Sequence, residues 1–419
     1  MKKLVSLLLA LTLLCAMAVP ALAEGKRVLT VVSWDTTTGG YLAAQEAAFE
    51  AAYPEIDLQY VDVASQEYNV KTTTMLAGGD TSDVFDVKEL SDLQNWIAQG
   101  LVESIEPNVA ADSYDLAPFL GLDNSYRAPD GTLYALPYRS DFWVLFYNKT
   151  LFDKAGVEYP TNDMTWDQYA DLARKMASGE GIDKIYGTHY HTWLSAAVNW
   201  AVCDGKYTLA DGNYEPLSYF YNLVQTLEDE GVCQEYSELK AANLHYSGAF
   251  YQGNIAMLPM GYWFCATLIA EQAKGTFDFD WSFVAVPHAE GVPAGSSFGS
   301  GTGACINKNA ANKDDAWTFI SWRAGLEGAK ATASTGTRPA YVSDEVAAVM
   351  ASAEGFPTDD ACKAALVPAQ MSLEWPLGDK VSEVKTIVNE EHTAIMSREA
   401  TIEEGIANMN SRTAEVLGK

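Results

Sequence analysis

A chain of 419 residues carrying 27 Lys and Arg against 56 Asp and Glu has a formal net charge of −29, which argues against nucleic acid or an anionic lipid surface as its partner. Hydrophobic residues make up 48% of it, ample for a core, and its length exceeds what one core usually serves, so two domains are expected.

The chain opens with Lys2 and Lys3, an apolar stretch from Leu4 to Val19, then Pro20 and the small-residue signature Ala21-Leu22-Ala23. That order reads as a secretory signal peptide over residues 1–23; an uncleaved anchor is the alternative, but the run is short for a span and Pro20 follows it directly. Cys15 follows Leu13-Leu14 inside the apolar run, where a lipid-acylated cysteine would want small residues before it, so a soluble exported protein is expected. Removing the leader leaves Cys203, Cys233, Cys265, Cys305 and Cys362. Their spacings match neither a zinc site nor a small disulfide scaffold, at least one must be unpaired, and any pairing, such as Cys203 with Cys233, is left open.

Arg27 to Ser33 (RVLTVVS) is nearly continuous and β-branched, as a strand covered on both faces requires, and a helical run follows as far as Tyr53-Pro54. Ile56 to Val61 repeats the strand signal, Tyr68 to Ala77 reads as helix ahead of Gly78-Gly79-Asp80, and Asp83 to Val87 gives a third strand. This alternation predicts an α/β fold with a parallel sheet covered by helices. After Leu133-Tyr134-Ala135-Leu136-Pro137 a second region begins, with a strand from Trp143 to Tyr147, a short helix from Lys149 to Ala155 and another starting at Thr165. Thr165-Trp166-Asp167-Gln168 has the form of a capping box. Later strands are expected at Ile185 to Thr188, Ile255 to Pro259 and Trp281 to Val286. A turn-rich stretch from Gly291 to Gly303 precedes Ala304-Cys305-Ile306-Asn307 and a helix from Lys313 to Gly325.

Leu136-Pro137 followed by Phe146-Tyr147-Asn148-Lys149, Leu151-Phe152, Ala155-Gly156-Val157, Pro160 and Thr165-Trp166-Asp167 resembles the central signature of a known family. The family is that of the extracellular solute-binding proteins of ATP-binding-cassette importers, in their carbohydrate-binding, maltose-binding-protein-like branch. Gly78-Gly79-Asp80 with Asp83, Gly253-Asn254-Ile255-Ala256-Met257 with Gly261-Tyr262-Trp263, and Ala316-Trp317-Thr318-Phe319-Ile320 follow in the family's order. The resemblance implies a two-lobe, periplasmic-binding-protein-like fold of type II, with parallel-type sheets flanked by helices and a hinged cleft between the lobes. It implies a first lobe of residues 24–138 plus 303–338, a second of 142–298 plus 343–419, and hinge segments near 139–141, 300–302 and 339–342. It also implies capture of a small neutral ligand, a mono- or oligosaccharide, by hinge closure and delivery to a membrane permease. No enzymatic activity, no cofactor and no nucleic-acid partner are expected, and the protein should act as a monomer in the periplasm or on the outer face of the cell membrane.

Ligands of open α/β sheets sit beyond the carboxyl ends of strands, so the residues following each strand are the binding candidates. Trp34 and Asp35 follow the first strand: an indole offers an apolar face to a pyranose and a carboxylate accepts from hydroxyls, the alternative being a packed Trp with a capping Asp. Lys88 and Glu89 follow the strand 83–87, where the family places cleft residues, although charged residues at a strand end are commonly just solvated. By the same resemblance Asp141 holds sugar hydroxyls or, alternatively, a hinge hydrogen bond. Trp263 stacks on ligand, Gly261 admits close backbone approach and Tyr262 stands beside them; Trp375, with its neighbour Glu374, lies near the cleft floor. Tyr190 or Trp193 supplies a further stacking wall. His189 and His191 alternate, but only His245, His288 and His392 remain as partners, so no metal site is expected. Arg338 either meets an acidic group on ligand or pairs across the lobes. Gly299-Ser300-Gly301-Thr302-Gly303 lacks the Lys-Ser/Thr of a phosphate loop and reads as a hinge crossing.

Two rival readings remain. An exported polysaccharide-degrading enzyme would also use carboxylates such as Asp35, Asp141 and Glu374 about a glycosidic bond, though no nucleophile motif accompanies them. The same fold binding a polyamine, a phosphate ester or a peptide is the other, and the modest number of basic residues disfavours an anion.

Overall fold

The nearly continuous apolar and β-branched run RVLTVVS forms β1 (Arg27–Ser33), in which Leu29, Val31 and Val32 have no exposed surface. In the computed structural model, which describes residues 25–37, 40–378 and 380–419, β1 pairs in parallel with β2 (Ile56–Asp62) and β3 (Val84–Val87). The leader expected at residues 1–23 lies outside the described residues. Helices Gly40–Ala52 and Tyr68–Ala77 connect these strands, so the first part of the chain is the alternating α/β unit that its periodicity predicts.

The two halves of the molecule are joined by long strands. β4 (Ala135–Asn148) pairs through Trp143–Tyr147 with β5 (Met257–Gly261) and through Val144–Asn148 with β6 (Trp281–Ala285), antiparallel in both cases. Its earlier residues pair antiparallel with β7 (Ser296–Ile306), whose far end reaches β3. β8 (Gln370–Leu373) runs parallel to the start of β7. Among the described strands the parallel ladders are those of β1 with β2 and β3 and of β7 with β8, because β4 and β7 pass between lobes instead of belonging to strand–helix–strand units.

Two apolar cores divide along these strands. Leu136 and Tyr138 of β4 and Ala304 to Ile306 of β7 pack with β1 and β3, whereas Phe142 to Tyr147 and Phe298 pack with β5 and β6. Between the cores the three chain crossings lie side by side. Arg139 is opposite Thr302, Ser140 opposite Gly301 and Asp141 opposite Ser300, while Arg139 bridges Pro339 and Ala340 N–H donates to the Tyr138 carbonyl at 3.1 Å. The helix Leu326–Ala333 touches both halves: Ala329 and Ala333 join the second core, and Thr332 accepts from Gln45 Nε2 of the first at 2.7 Å.

Both bonds of the capping box form, Gln168 N–H to the Thr165 hydroxyl at 3.3 Å and Thr165 N–H to the Gln168 side chain at 2.9 Å. Two local expectations are corrected and one open question is answered. Ile185 to Thr188 is not a strand: Tyr186 makes a single bridge to Ile255, and Gly187 is pressed onto the Ala173 carbonyl where no Cβ would fit. The stretch from Gly291 to Gly303 is not turn throughout, since β7 starts at Ser296; a Cβ at Gly299 would collide with the Asp141 carbonyl and one at Gly303 with the Tyr126 ring. Cys203 and Cys233 are not joined, and all five cysteines of the described residues are buried free thiols. Among the described residues no helix is long and apolar enough to cross a membrane.

Candidate functional site

The chain crossings between the two cores carry the polar residues of the candidate site. Asp141 is 6% exposed and ion-pairs through Oδ2 with Arg139 Nε at 3.1 Å, while its Oδ1 has no donor from the protein. Burial raises the Asp141 carboxyl above its ordinary pKa, and Arg139 and Arg338 oppose that shift. The Arg139 guanidinium also donates to the Tyr41 hydroxyl (3.1 Å) and the Thr302 hydroxyl (3.2 Å), and it lies 5.8 Å from the Trp34 ring centre. Arg338 donates to the Ser140 hydroxyl at 2.9 Å and sits over Phe142 at 5.1 Å, so its charge is engaged by the hinge.

On the first lobe, Trp34 is only 7% exposed, edge-on to Tyr68 at 4.8 Å with Lys88 Nζ 5.4 Å from its ring centre. It is the packed Trp of the alternative reading, with little open face left for a ligand. Asp35 adopts a left-handed backbone (φ 51°), and partial burial raises its carboxyl above the ordinary value while Lys88 and, from the second lobe, His245 oppose the shift. Lys88 donates to the Ser65 carbonyl at 2.5 Å and hydroxyl at 2.8 Å. Glu89 precedes the helix Leu90–Ala98 and pairs with Lys385 Nζ at 3.0 Å.

The second lobe supplies the aromatic wall. Trp263 follows β5, donates from Nε1 to the Tyr246 hydroxyl at 3.0 Å, and meets Trp143 edge-on at 5.4 Å. Gly261 makes room for its ring, since a Cβ there would overlap the indole. Trp193 is 40% exposed, 6.5 Å from Trp263 at an interplanar angle of 47°, and packs on His191 at 4.5 Å. Burial pushes His191 down to about 3, so its imidazole is neutral, and its Nδ1 has no protein partner. Trp375 is half-buried with Lys385 Nζ 5.5 Å from its ring centre. Beside it, burial lifts the Glu374 carboxyl to about 7; Glu89 adds to the shift, and Lys385, Ser195 and Trp143 oppose it.

Two predicted residues do not reach the cleft. Tyr262 is fully buried, stacked on Phe142 at 5.2 Å with its hydroxyl donating to the Gly336 carbonyl at 3.1 Å, because successive residues leaving β5 point to opposite sides. Tyr190 is 5% exposed and lies edge-on to Tyr169 inside the second core. Conversely, Arg139, His245, Tyr246 and Lys385, which the sequence did not single out, contact the candidate residues. His245 and Tyr246 open a short helix and Lys385 lies within a long one, so no strand end pointed to them. Two surface concavities, of about 380 Å³ around Lys184, Glu228 and Glu238 and about 310 Å³ around Asp167, Arg174 and Tyr219, contain none of these residues. Among the described residues no group of three or more His, Cys, Asp or Glu is placed to hold a metal ion.

Comparison with known proteins adds an independent line. The family model described as bacterial extracellular solute-binding protein matches residues 34–330. The chain is similar to a sugar transporter from Rhizobium etli solved in an open conformation, at 38% identity and a TM-score of 0.78, covering 92% of this chain and 98% of that one. It is also similar to a binding protein of Brucella abortus, 26% identical over 74% of this chain and 77% of that protein. A lactose-binding protein of Rhizobium radiobacter is 24% identical over 70% of this chain and 69% of its own. The two-lobe fold, the strands that run between its two cores and a family match over most of the chain lead to one assignment: this protein belongs to the bacterial extracellular solute-binding protein family.

Proposed function

We propose that this protein captures a mono- or oligosaccharide by closing its two lobes and delivers it to the permease of an ATP-binding-cassette importer. It is a binding protein and not an enzyme, in keeping with its family. The observations that carry the sugar reading are two neighbouring aromatic rings of the second lobe, Trp193 and Trp263, 6.5 Å apart, and, at the strand crossing, a buried carboxylate oxygen, Asp141 Oδ1, that lacks a donor. A pyranose has an apolar face for the rings and hydroxyls for the oxygen, so one ligand satisfies both. The cleft's cations also support a neutral ligand: Arg139, Arg338 and Lys385 each have a partner within the protein, in a chain of net charge −29.

We assign residues 24–138 plus 303–338 to one lobe and 142–298 plus 343–419 to the other, turning on residues 139–141, 300–302 and 339–342. Residues 1–23 act as the export signal, and the mature protein works outside the cytoplasm as a monomer. Ligand that touches both lobes only on closure shifts the open–closed equilibrium by its differential affinity.

A thermal-shift screen with mannitol, lactose, maltose and maltotriose tests the reading. A ligand held at about 100 times its Kd adds about 2.7 kcal/mol of stability and raises Tm. Trp263→Ala should lose that response while the unliganded protein stays folded. If no sugar raises Tm, carbohydrate capture is wrong; if the variant responds as the wild type does, Trp263 is not in the site.

A further inference from the structure

The helix Val381–Met396 buries Val384 and Val388 in the second core and carries Lys385 beside them. Glu89 stands at the start of the helix Leu90–Ala98, whose Leu90, Leu93 and Trp96 belong to the first core. Their ion pair, Lys385 Nζ to Glu89 Oε2 at 3.0 Å, therefore ties an element of one lobe to an element of the other. Both side chains are withdrawn from solvent, 26% and 31% exposed, so water screens the pair less than it would a surface pair. The ammonium also lies over the face of Trp375 and next to Glu374, both proposed cleft residues. Lys88 and Asp92 add their charges from the first lobe, and Ser195 and Trp143 adjoin Glu374 on the second.

We propose that Glu89 and Lys385 are a closure latch, a bond made only when the lobes are together, so that it holds part of the closed population without ligand. This rests on the reading of the cleft as a site that closes. A bond present in one of two states shifts their balance, whereas one present in both shifts nothing. Opening the cleft carries Glu89 and Lys385 apart with their separate cores. Trp375 and Glu374 stay with Lys385, so the ammonium that presents them is fixed in place by a residue of the opposite lobe.

The test is small-angle scattering on the full mature chain, without sugar and with lactose, maltose or maltotriose, for the wild type, Glu89→Gln, Lys385→Met, the double variant and Lys385→Arg. Without sugar, each neutralised single variant is expected to show a larger radius of gyration than the wild type. The double variant should expand no further than the singles, because the same bond is removed once, and Lys385→Arg should match the wild type. Equal radii for the wild type and Glu89→Gln, or single expansions that add in the double variant, would overturn the latch. Near-ultraviolet circular dichroism checks folding, and Glu89→Gln decides the matter if Lys385→Met does not fold. Failure of the carbohydrate reading has a different signature: no sugar contracts any of the five proteins, whatever the unliganded radii show.

Discussion

The indole of Trp263 lies against the backbone of Gly261, two residues before it, so closely that a side chain at 261 would occupy the space of the ring. The glycine is thus what sets the orientation of the aromatic plate, and its own φ is not the reason for it, since it is absent from the positive-φ residues. Gly261→Ala should swing Trp263 off its bond to Tyr246, weaken sugar binding at least about tenfold, or about 1.4 kcal/mol, and destabilise the fold by about 1–3 kcal/mol. Calorimetric titration with the sugar found in the screen, together with urea unfolding, measures both. Unchanged affinity would show that the ring does not depend on this contact.

Asp86 and Arg323 form an ion pair with no exposed surface on either side chain, and the carboxylate also accepts from the Ser33 hydroxyl at 2.7 Å and the Tyr138 hydroxyl at 3.0 Å. Asp86→Asn should destabilise the protein by about 3–5 kcal/mol, because the Arg323 charge would remain buried without its counter-charge. Pairing it with Arg323→Met should give a double variant more stable than the sum of the two single losses, read from urea midpoints.

The Glu374 carboxyl titrates at about 7 in the folded chain against an ordinary value of 4.5, raised first by burial and then by Glu89. Between those values the folded state keeps a proton that the unfolded state has released. The stability this contributes is therefore complete below about pH 4.5 and is lost as pH rises through about 7. Glu374→Gln has no charge to bury, so its Tm relative to the wild type should climb between about pH 5 and about pH 8. A difference that stays flat over this range would mean that Glu374 titrates as an ordinary carboxyl.

All five cysteines among the described residues are buried free thiols, and burial pushes Cys203 up to about 12 and Cys362 up to about 11. A thiol reagent should react slowly with the native protein and quickly in urea, since the thiolate is the reactive form. Reducing agent should leave Tm unchanged. A Cys203–Cys233 disulfide would instead appear as two missing thiols in the denatured, unreduced chain.

Elements set by near neighbours were legible in the sequence. The RVLTVVS strand, the helix Tyr68–Ala77 and the Thr165–Gln168 capping box all depend on residues within a turn or two of one another. The second half of the glycine-rich stretch before Ala304 was not legible, because glycine serves both turns and close packing. In β7 it is the approach of Asp141 and Tyr126, from distant parts of the chain, that requires it. The reading by strand ends and by family position named Tyr262 and Tyr190 as cleft residues, whereas the fold buries both in the second core and leaves Trp193 40% exposed.

From the sequence by itself came the α/β alternation and the family, each a property of local pattern and of motif order. Tertiary structure alone decided that Trp34 has its faces covered by Tyr68, Lys88 and Arg139, and that Lys385 meets Glu89. The physical reason is that which face of a ring stays open, and which charge finds which, depends on how two separately built cores come together. No periodicity along the chain encodes that distance.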